Sequence, residues 1–219
     1  MNVHALTVGA FAENTWFLHE PSTGELLLVD PGDEAPRLLA EIDGVGARLT
    51  AIWLTHAHID HIGGIAGVKA RWPDVEVYSH PLDAPLLLHA PRVAARYGLP
   101  FAAPPTPERE LAEGQTLEFA GARFDVWHLP GHAPGHVAFI GAGHCLSGDL
   151  LFAGSIGRTD LPLCDPAAME RSIARLATLP DETRVHPGHG PETTIGRERA
   201  TNPFVRGVAR PLPRAAPLT

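Results

Sequence analysis

The chain has 219 residues, enough for one large domain with a core of its own and no need of a disulfide framework. With 44% hydrophobic and 19% charged residues it is not disordered, coiled-coil or membrane-bundle in composition, and its 22 Gly and 22 Pro point to a loop-rich domain. A formal charge of −8, with basic residues that never cluster, excludes a nucleic-acid footprint. The N-terminus has no basic stretch leading into an apolar one, and no apolar run approaches a membrane span, so a cytoplasmic protein without a membrane partner is expected.

In chain order, residues 2–9, 14–19 and 25–30 read as short strands, the last two joined through Pro21-Ser22-Thr23-Gly24. Leu38, Leu39 and Ile42 fall at helical spacing within Glu34–Asp43. The apolar run Leu49–Thr55 predicts a buried strand that leads directly into His56-Ala57-His58-Ile59-Asp60-His61. A helix over Ile62–Trp72 is expected next, then a strand over Val75–Ser79 and a helix over Pro81–His89, opened by its proline. Residues 90–115 are Pro-rich and read as a long irregular loop. Hairpins follow over 116–119 with 123–128 and over 136–140 with 144–147. Asp165-Pro166 has the form of an N-cap with proline at the first helical position, ahead of Met169, Ile173 and Leu176 on one face. Thr183–His186 reads as a last strand and Thr193–Ala200 as a short helix. The tail 207–219 reads as disordered, leaving 1–206 as the folded domain. Strands come in two blocks, each followed by helix, which predicts an α/β fold of two packed sheets covered by helices, a four-layer αββα sandwich.

The 13 histidines are bunched rather than scattered. His56 and His58 are two apart, so in extended backbone their imidazoles leave on the same side and can hold one ion together. Asp60 and His61 follow where the chain turns and reach a neighbouring position, so this cluster suits two adjacent metals. Further ligands must come from elsewhere. Pro130-Gly131-His132, Ser147-Gly148-Asp149 and Pro187-Gly188-His189 each place one donor in a Gly-containing turn after a strand. A carboxylate bridges metals about 3.5–4 Å apart, which suits Asp149. Pro134-Gly135-His136 repeats the triplet around His132, and spacing leaves either histidine open as the ligand. Nitrogen and oxygen donors without cysteine suit zinc, iron or manganese. An isolated histidine at a strand end is usually a hydrogen-bonded structural residue, the reading kept for His4, His19, His80, His89, His128, His144 and His186.

Taken together these residues resemble the signature of the metallo-β-lactamase superfamily, H-x-H-x-D-H followed by a separate His, Asp and His, with Val29-Asp30-Pro31-Gly32 near the start. The resemblance implies a first metal held by His56, His58 and His132, a second by Asp60, His61 and His189, and Asp149 bridging. It selects His132 over His136, makes His136 a supporting residue, and puts Asp30 beneath the site as a structural acid. The stretch Gly148–Pro162 looks like the short glyoxalase II (hydroxyacylglutathione hydrolase) type, since only 30 residues follow His189, too few for the helical C-terminal domain of the long type. The implied cofactors are two divalent ions, zinc first, with iron or manganese as alternatives. The implied reaction is attack of a metal-bridging hydroxide on a small-molecule thioester such as S-lactoylglutathione, with Asp60 accepting or relaying the proton. Arg158, where a glutathione-contacting Lys is expected, would hold a substrate carboxylate. Competing expectations are a persulfide dioxygenase with a single iron, or another ester or lactone hydrolase of the same superfamily. A homo-oligomer is compatible with the sequence.

Overall fold

The computed structural model describes residues 1–213. The chain divides into two compact units, Met1–Leu111 with Glu118–Gly121, and Ala112–Leu117 with the chain from Ala122 onward.

The first unit contains β1 (Asn2–Val8), β2 (Glu13–Glu20), β3 (Glu25–Val29), α1 (Ala35–Val45), β4 (Arg48–Trp53), α2 (Ile59–Ile62), α3 (Ile65–Arg71), β5 (Glu76–Ser79), a 3-10 turn (Pro81–Asp83), α4 (Ala84–Arg96) and β6 (Arg109–Glu110). Its sheet has the order β1-β2-β3-β4-β5-β6. The first three strands are antiparallel and the pairs from β3 to β6 parallel. From Leu26 to Val29 β3 is apolar and buried because it lies inside the sheet, where a strand covered on both faces reads as a continuous hydrophobic run. Leu26, Leu28 and Ile52 of the sheet pack with Leu38 and Ile42 of α1. That helix has proline in its first turn and ends on a left-handed Gly46, the usual asymmetry of helix ends.

Two expectations are corrected here. The helix expected over 62–72 is α3 alone, Ile65–Arg71, and a separate short helix, α2, precedes it over Ile59–Ile62 with Gly63-Gly64 between them. The helix that opens after Pro81 does not stop at His89 but continues to Arg96 with Pro91 inside it. An interior proline costs about 3 kcal/mol. Here the apolar face continues past it, with Ala90 and Ala94 both buried, so tertiary burial overrides the local break. The loop expected over 90–115 is shorter accordingly.

The second unit contains the first two residues of β7 (Thr116–Phe119), then β8 (Ala122–His128), β9 (Val137–Gly141), β10 (His144–Gly148), the small hairpin β11 (Leu151–Phe152) and β12 (Ser155–Ile156), α5 (Pro166–Leu176), β13 (Arg184–Pro187), β14 (Thr193–Thr194) and α6 (Ile195–Thr201). Its main sheet has the order β14-β13-β10-β9-β8-β7, with β10 and β13 parallel. Asp165 caps α5 as its sequence predicts, its side chain accepting from the Ala168 N–H at 2.9 Å. Met169, Ile173 and Leu176 turn inward onto Leu129, Ala138, Cys145 and Val185. Of the tail read as disordered, residues 207–213 are described and carry contacts: Thr159 Oγ1 donates to Leu212 O at 2.6 Å, and Arg210 pairs with Glu170 at 2.9 Å. Residues 214–219 lie outside the described residues. No helix among the described residues is long and apolar enough to cross a membrane.

In both units the polar residues of interest follow the C-terminal ends of adjacent parallel strands, the usual position of chemistry in such sheets. Asp30 follows β3 and His56 follows β4; Asp149 follows β10 and His189 follows β13.

Candidate metal centre

In the first unit the centre is organised around Asp30, which is buried and held in the left-handed region at φ 52°. Its own N–H donates to Trp53 O at 3.0 Å, tying the ends of β3 and β4 together. Its carboxylate accepts the Thr55 N–H at 2.7 Å and the Thr55 hydroxyl at 2.6 Å, and stands 3.0 Å from His61 Nδ1. The carboxylate only accepts, so His61 carries its proton on Nδ1 and its Nε2 keeps a lone pair to offer. The same accounting applies to His56. The Thr55 hydroxyl spends its proton on Asp30, so His56 Nδ1, 3.1 Å away, must be the donor. The backbone at His58 is extended, and the rings of His56 and His58 stand 4.8 Å apart at 89°. The His56 and His61 rings are closer, 4.0 Å apart.

Three features of this half were not visible in the sequence. Asp83, fully buried at the end of the 3-10 turn, accepts the Ala57 N–H at 3.0 Å and so fixes the backbone between His56 and His58. Glu13 is fully buried with Oε1 3.8 Å from His61 Nδ1, and burial pushes its carboxyl well above the usual range. Thr15 Oγ1 lies 3.1 Å from Glu13 Oε2 and accepts the Gly32 N–H at 2.9 Å. Gly32 itself cannot be replaced without conflict, because a Cβ there would run into the Glu13 carboxylate and the Asp60 carbonyl.

In the second unit Asp149 is the hub. His132 Nε2 and His189 Nε2 stand 3.3 and 3.5 Å from the same oxygen, Asp149 Oδ2. His132 Nδ1 is 2.8 Å from the carbonyl of Arg158, so it donates and its Nε2 again keeps a lone pair to offer. His136 is oriented the other way: its Nε2 accepts the backbone N–H of Asp149 at 3.1 Å. That nitrogen is engaged with the main chain of Asp149, whereas His132 Nε2 faces the Asp149 side chain. Gly157 allows the approach of the Arg158 loop, since a Cβ there would collide with the Asp149 carbonyl. Cys164 donates its thiol to His132 O at 3.0 Å. Cys145 lies buried in β10, and burial raises its thiol to about 12. Neither sulfur is placed as a ligand, and the set is one of imidazoles and carboxylates.

The Arg158 side chain makes a bidentate pair with Asp160, both contacts at 2.8 Å, and the guanidinium holds the Asp160 carboxyl below its usual range. Its main-chain carbonyl, not its charge, is what touches the centre.

A divalent ion fits these residues on their donor chemistry. Each oriented imidazole is held at Nδ1 by a second group, the arrangement that fixes tautomer and ring direction in metal-ligating histidines.

The known proteins agree with this chemistry. Residues 8–189 match the family model of the metallo-beta-lactamase superfamily. The chain is 38% identical over 210 residues to hydroxyacylglutathione hydrolase GloC of Haemophilus influenzae, covering 94% of this chain and 98% of that one. Among solved structures, TTHA1623 in a di-iron-bound form superposes with a TM-score of 0.84 at 48% identity, covering 92% of this chain and 99% of that one. BLEG-1 B3 metallo-beta-lactamase does so with a TM-score of 0.86 at 33% identity, covering 93% and 99%. The chain belongs to the metallo-β-lactamase superfamily, as a metallohydrolase similar along most of its length to hydroxyacylglutathione hydrolase.

Proposed function

We propose that this enzyme hydrolyses small-molecule thioesters, S-lactoylglutathione among them, using two divalent ions, zinc in the first place. The ligands are those of the family signature: His56, His58 and His132 for one ion, Asp60, His61 and His189 for the other, and Asp149 for both. The observation that carries this reading is the placement of two imidazole nitrogens 3.3 and 3.5 Å from one oxygen of Asp149, whose main chain is braced by His136. A carboxylate so placed is suited to bridging, and the similarity to GloC supports a thioester as the substrate.

What a bound pair of divalent ions supplies is acidification of water to near-neutral pKa and polarisation of a carbonyl. The chain's own residues do the rest. Asp30, Thr55 and the Arg158 carbonyl hold three imidazoles in one tautomer, so no reorientation is needed at the moment of reaction. Asp60, with a side chain still 18% exposed, receives or relays the proton taken from water. The leaving thiolate is stable near neutral pH and requires no strong acid. Arg158 recognises a substrate carboxylate, in exchange with Asp160.

The test is metal content of the purified protein together with hydrolysis of S-lactoylglutathione and oxygen uptake on glutathione persulfide. Two ions per chain with thioester hydrolysis are expected. One iron per chain with oxygen consumption and no thioester hydrolysis would replace this reading with a dioxygenase.

A further inference from the structure

Between Asp149 and Arg158 the chain leaves the second unit's half of the centre and comes back to it. It runs from the carboxylate that faces His132 and His189, through the hairpin β11–β12, and returns at Gly157 against the Asp149 carbonyl. The next residue, Arg158, supplies the carbonyl 2.8 Å from His132 Nδ1. Within the hairpin, the Phe152 ring stands edge-on to the His189 ring, centroids 5.8 Å apart at 83°. The position of one hairpin therefore bears on Asp149, His132 and His189 together. Two strands of two residues each are too short to hold that position alone. Leu151 and Ile156 are buried and anchor the inner side, but apolar burial is non-directional, and Gly154 and Ser155 at the tip are exposed.

The outer side is gripped by two buried residues of α6 and its C-terminal cap, Glu198 and Asn202. Glu198 Oε2 accepts the Gly154 N–H and one Asn202 Nδ2 hydrogen, both at 2.8 Å, while Oε1 accepts the Thr193 hydroxyl at 2.5 Å. Asn202 Nδ2 donates its second hydrogen to Ser155 O at 2.9 Å, and Phe152 O stands 3.4 Å away. Asn202 Oδ1 accepts the Phe204 N–H at 2.9 Å, which fixes the orientation of the amide. The network also reaches the far side of the centre, because Thr193 lies four residues beyond His189. Hydrogen bonds are directional where packing is not, and a displaced hairpin would strand buried polar atoms of both residues. We propose that Glu198 and Asn202 are positioning residues of the metal centre. They set the hairpin that runs from Asp149 to the Arg158 carbonyl, and with it the aim of Asp149, His132 and His189. The inference rests on the assignment of those three residues as ligands, made above, and is independent of the substrate.

Zinc affinity of the chelator-treated, folded protein is measured by competition with a chromophoric chelator, beside the urea stability of the same samples. Glu198→Ala should weaken zinc binding about tenfold, the low end of what removing a group directly behind a ligand costs. Glu198→Gln should restore most of it, since its oxygen serves Gly154 and Asn202 while its NH2 faces the Thr193 hydroxyl, which accepts. Asn202→Asp, equal in size, sets an oxygen against Glu198 Oε2 and Ser155 O and should lose as much as Glu198→Ala. Should Glu198→Ala fail to fold, Thr193→Val, which removes one donor at equal volume, carries the test with a several-fold loss expected. Unchanged zinc affinity in these variants while urea stability falls makes the network a staple of the fold and overturns the inference. A Glu198→Gln protein as weak in zinc binding as Glu198→Ala overturns it as well. Asp149→Ala separates the two levels. Unchanged zinc affinity there overturns the ligand assignment and the inference with it, whereas a loss there and none in Glu198→Ala or Asn202→Asp overturns the inference alone.

Discussion

His136 Nε2 accepts the backbone N–H of Asp149 at 3.1 Å, so the residue with the most central carboxylate of the second unit is held by its main chain while its side chain faces His132 and His189. The support and the supported have different consequences when lost. Asp149→Ala should abolish binding of at least one ion and nearly all activity. His136→Ala should cost about 10- to 100-fold, the usual effect of removing a group that orients a ligand. Metal analysis alongside kcat/KM separates the two, and a larger loss at His136 would reverse the assignment of the triplets.

Asp30 accepts from Thr55 twice and faces His61 Nδ1, all in a buried setting. Removing the carboxylate strands three donors, each costing about 1–3 kcal/mol if left unsatisfied. Asp30→Ala should therefore destabilise the metal-free protein by several kcal/mol and weaken metal uptake. Asp30→Asn should be milder, since Asn tolerates the left-handed backbone found there. Urea denaturation of chelator-treated protein checks the order, and equal stability of wild type and Asp30→Ala would contradict it.

His186 is buried in β13 with Nε2 2.8 Å from His144 Nδ1, and burial, helped by His144 and Arg184, lowers its pKa to about 3. The unfolded chain binds this proton near pH 6.5 and the folded chain does not, so between pH 6.5 and 3 the unfolded state holds more protons. The contribution is fully present above pH 6.5 and declines on acidification towards pH 3, by roughly 2–3 kcal/mol at pH 4.5. His186→Phe should flatten this part of the stability profile in metal-free protein. An unchanged slope in that variant would show that other groups set the acid limit.

The Arg158 carbonyl holds His132 while its guanidinium pairs with Asp160 at the surface. Arg158→Ala keeps the carbonyl, so metal content should be unchanged and stability should shift by about 1 kcal/mol at most. If the guanidinium grips a substrate carboxylate, that variant raises KM several-fold with little change in kcat. Asp160→Asn removes the competitor and should lower KM. One KM shared by all three proteins would assign recognition to other residues.

The His56–His61 segment was legible because its donors are contiguous and period-two spacing fixes their direction at the end of an obvious strand. The cap at Asp165 was legible for a similar reason, since its partner is three residues away. Asp83 was not, because it reaches Ala57 from 26 residues downstream and within the helix expected over 81–89 nothing local marks it. Glu13 precedes the strand expected over 14–19, and its complete burial comes from packing of the first unit, which no local pattern shows. Arg158 attracted notice for its charge, whereas its contribution to the centre is a carbonyl that every residue possesses. The Pro-rich stretch from residue 90 reads as loop, yet the helix runs on through Pro91 with Ala90 and Ala94 buried.

The bond between Asp30 and Thr55 joins the ends of two parallel strands whose pairing already contains one irregularity, between Leu26 and Leu27. A further slip of one residue would turn the Asp30 side chain to the opposite face of the sheet, away from Thr55 and His61. A mispaired chain could still bury the three consecutive leucines of β3, so hydrophobicity alone is a weak judge of which pairing is right. The carboxylate is a strict one. Only the proper alignment of these two strands sets the carboxylate against both Thr55 and His61.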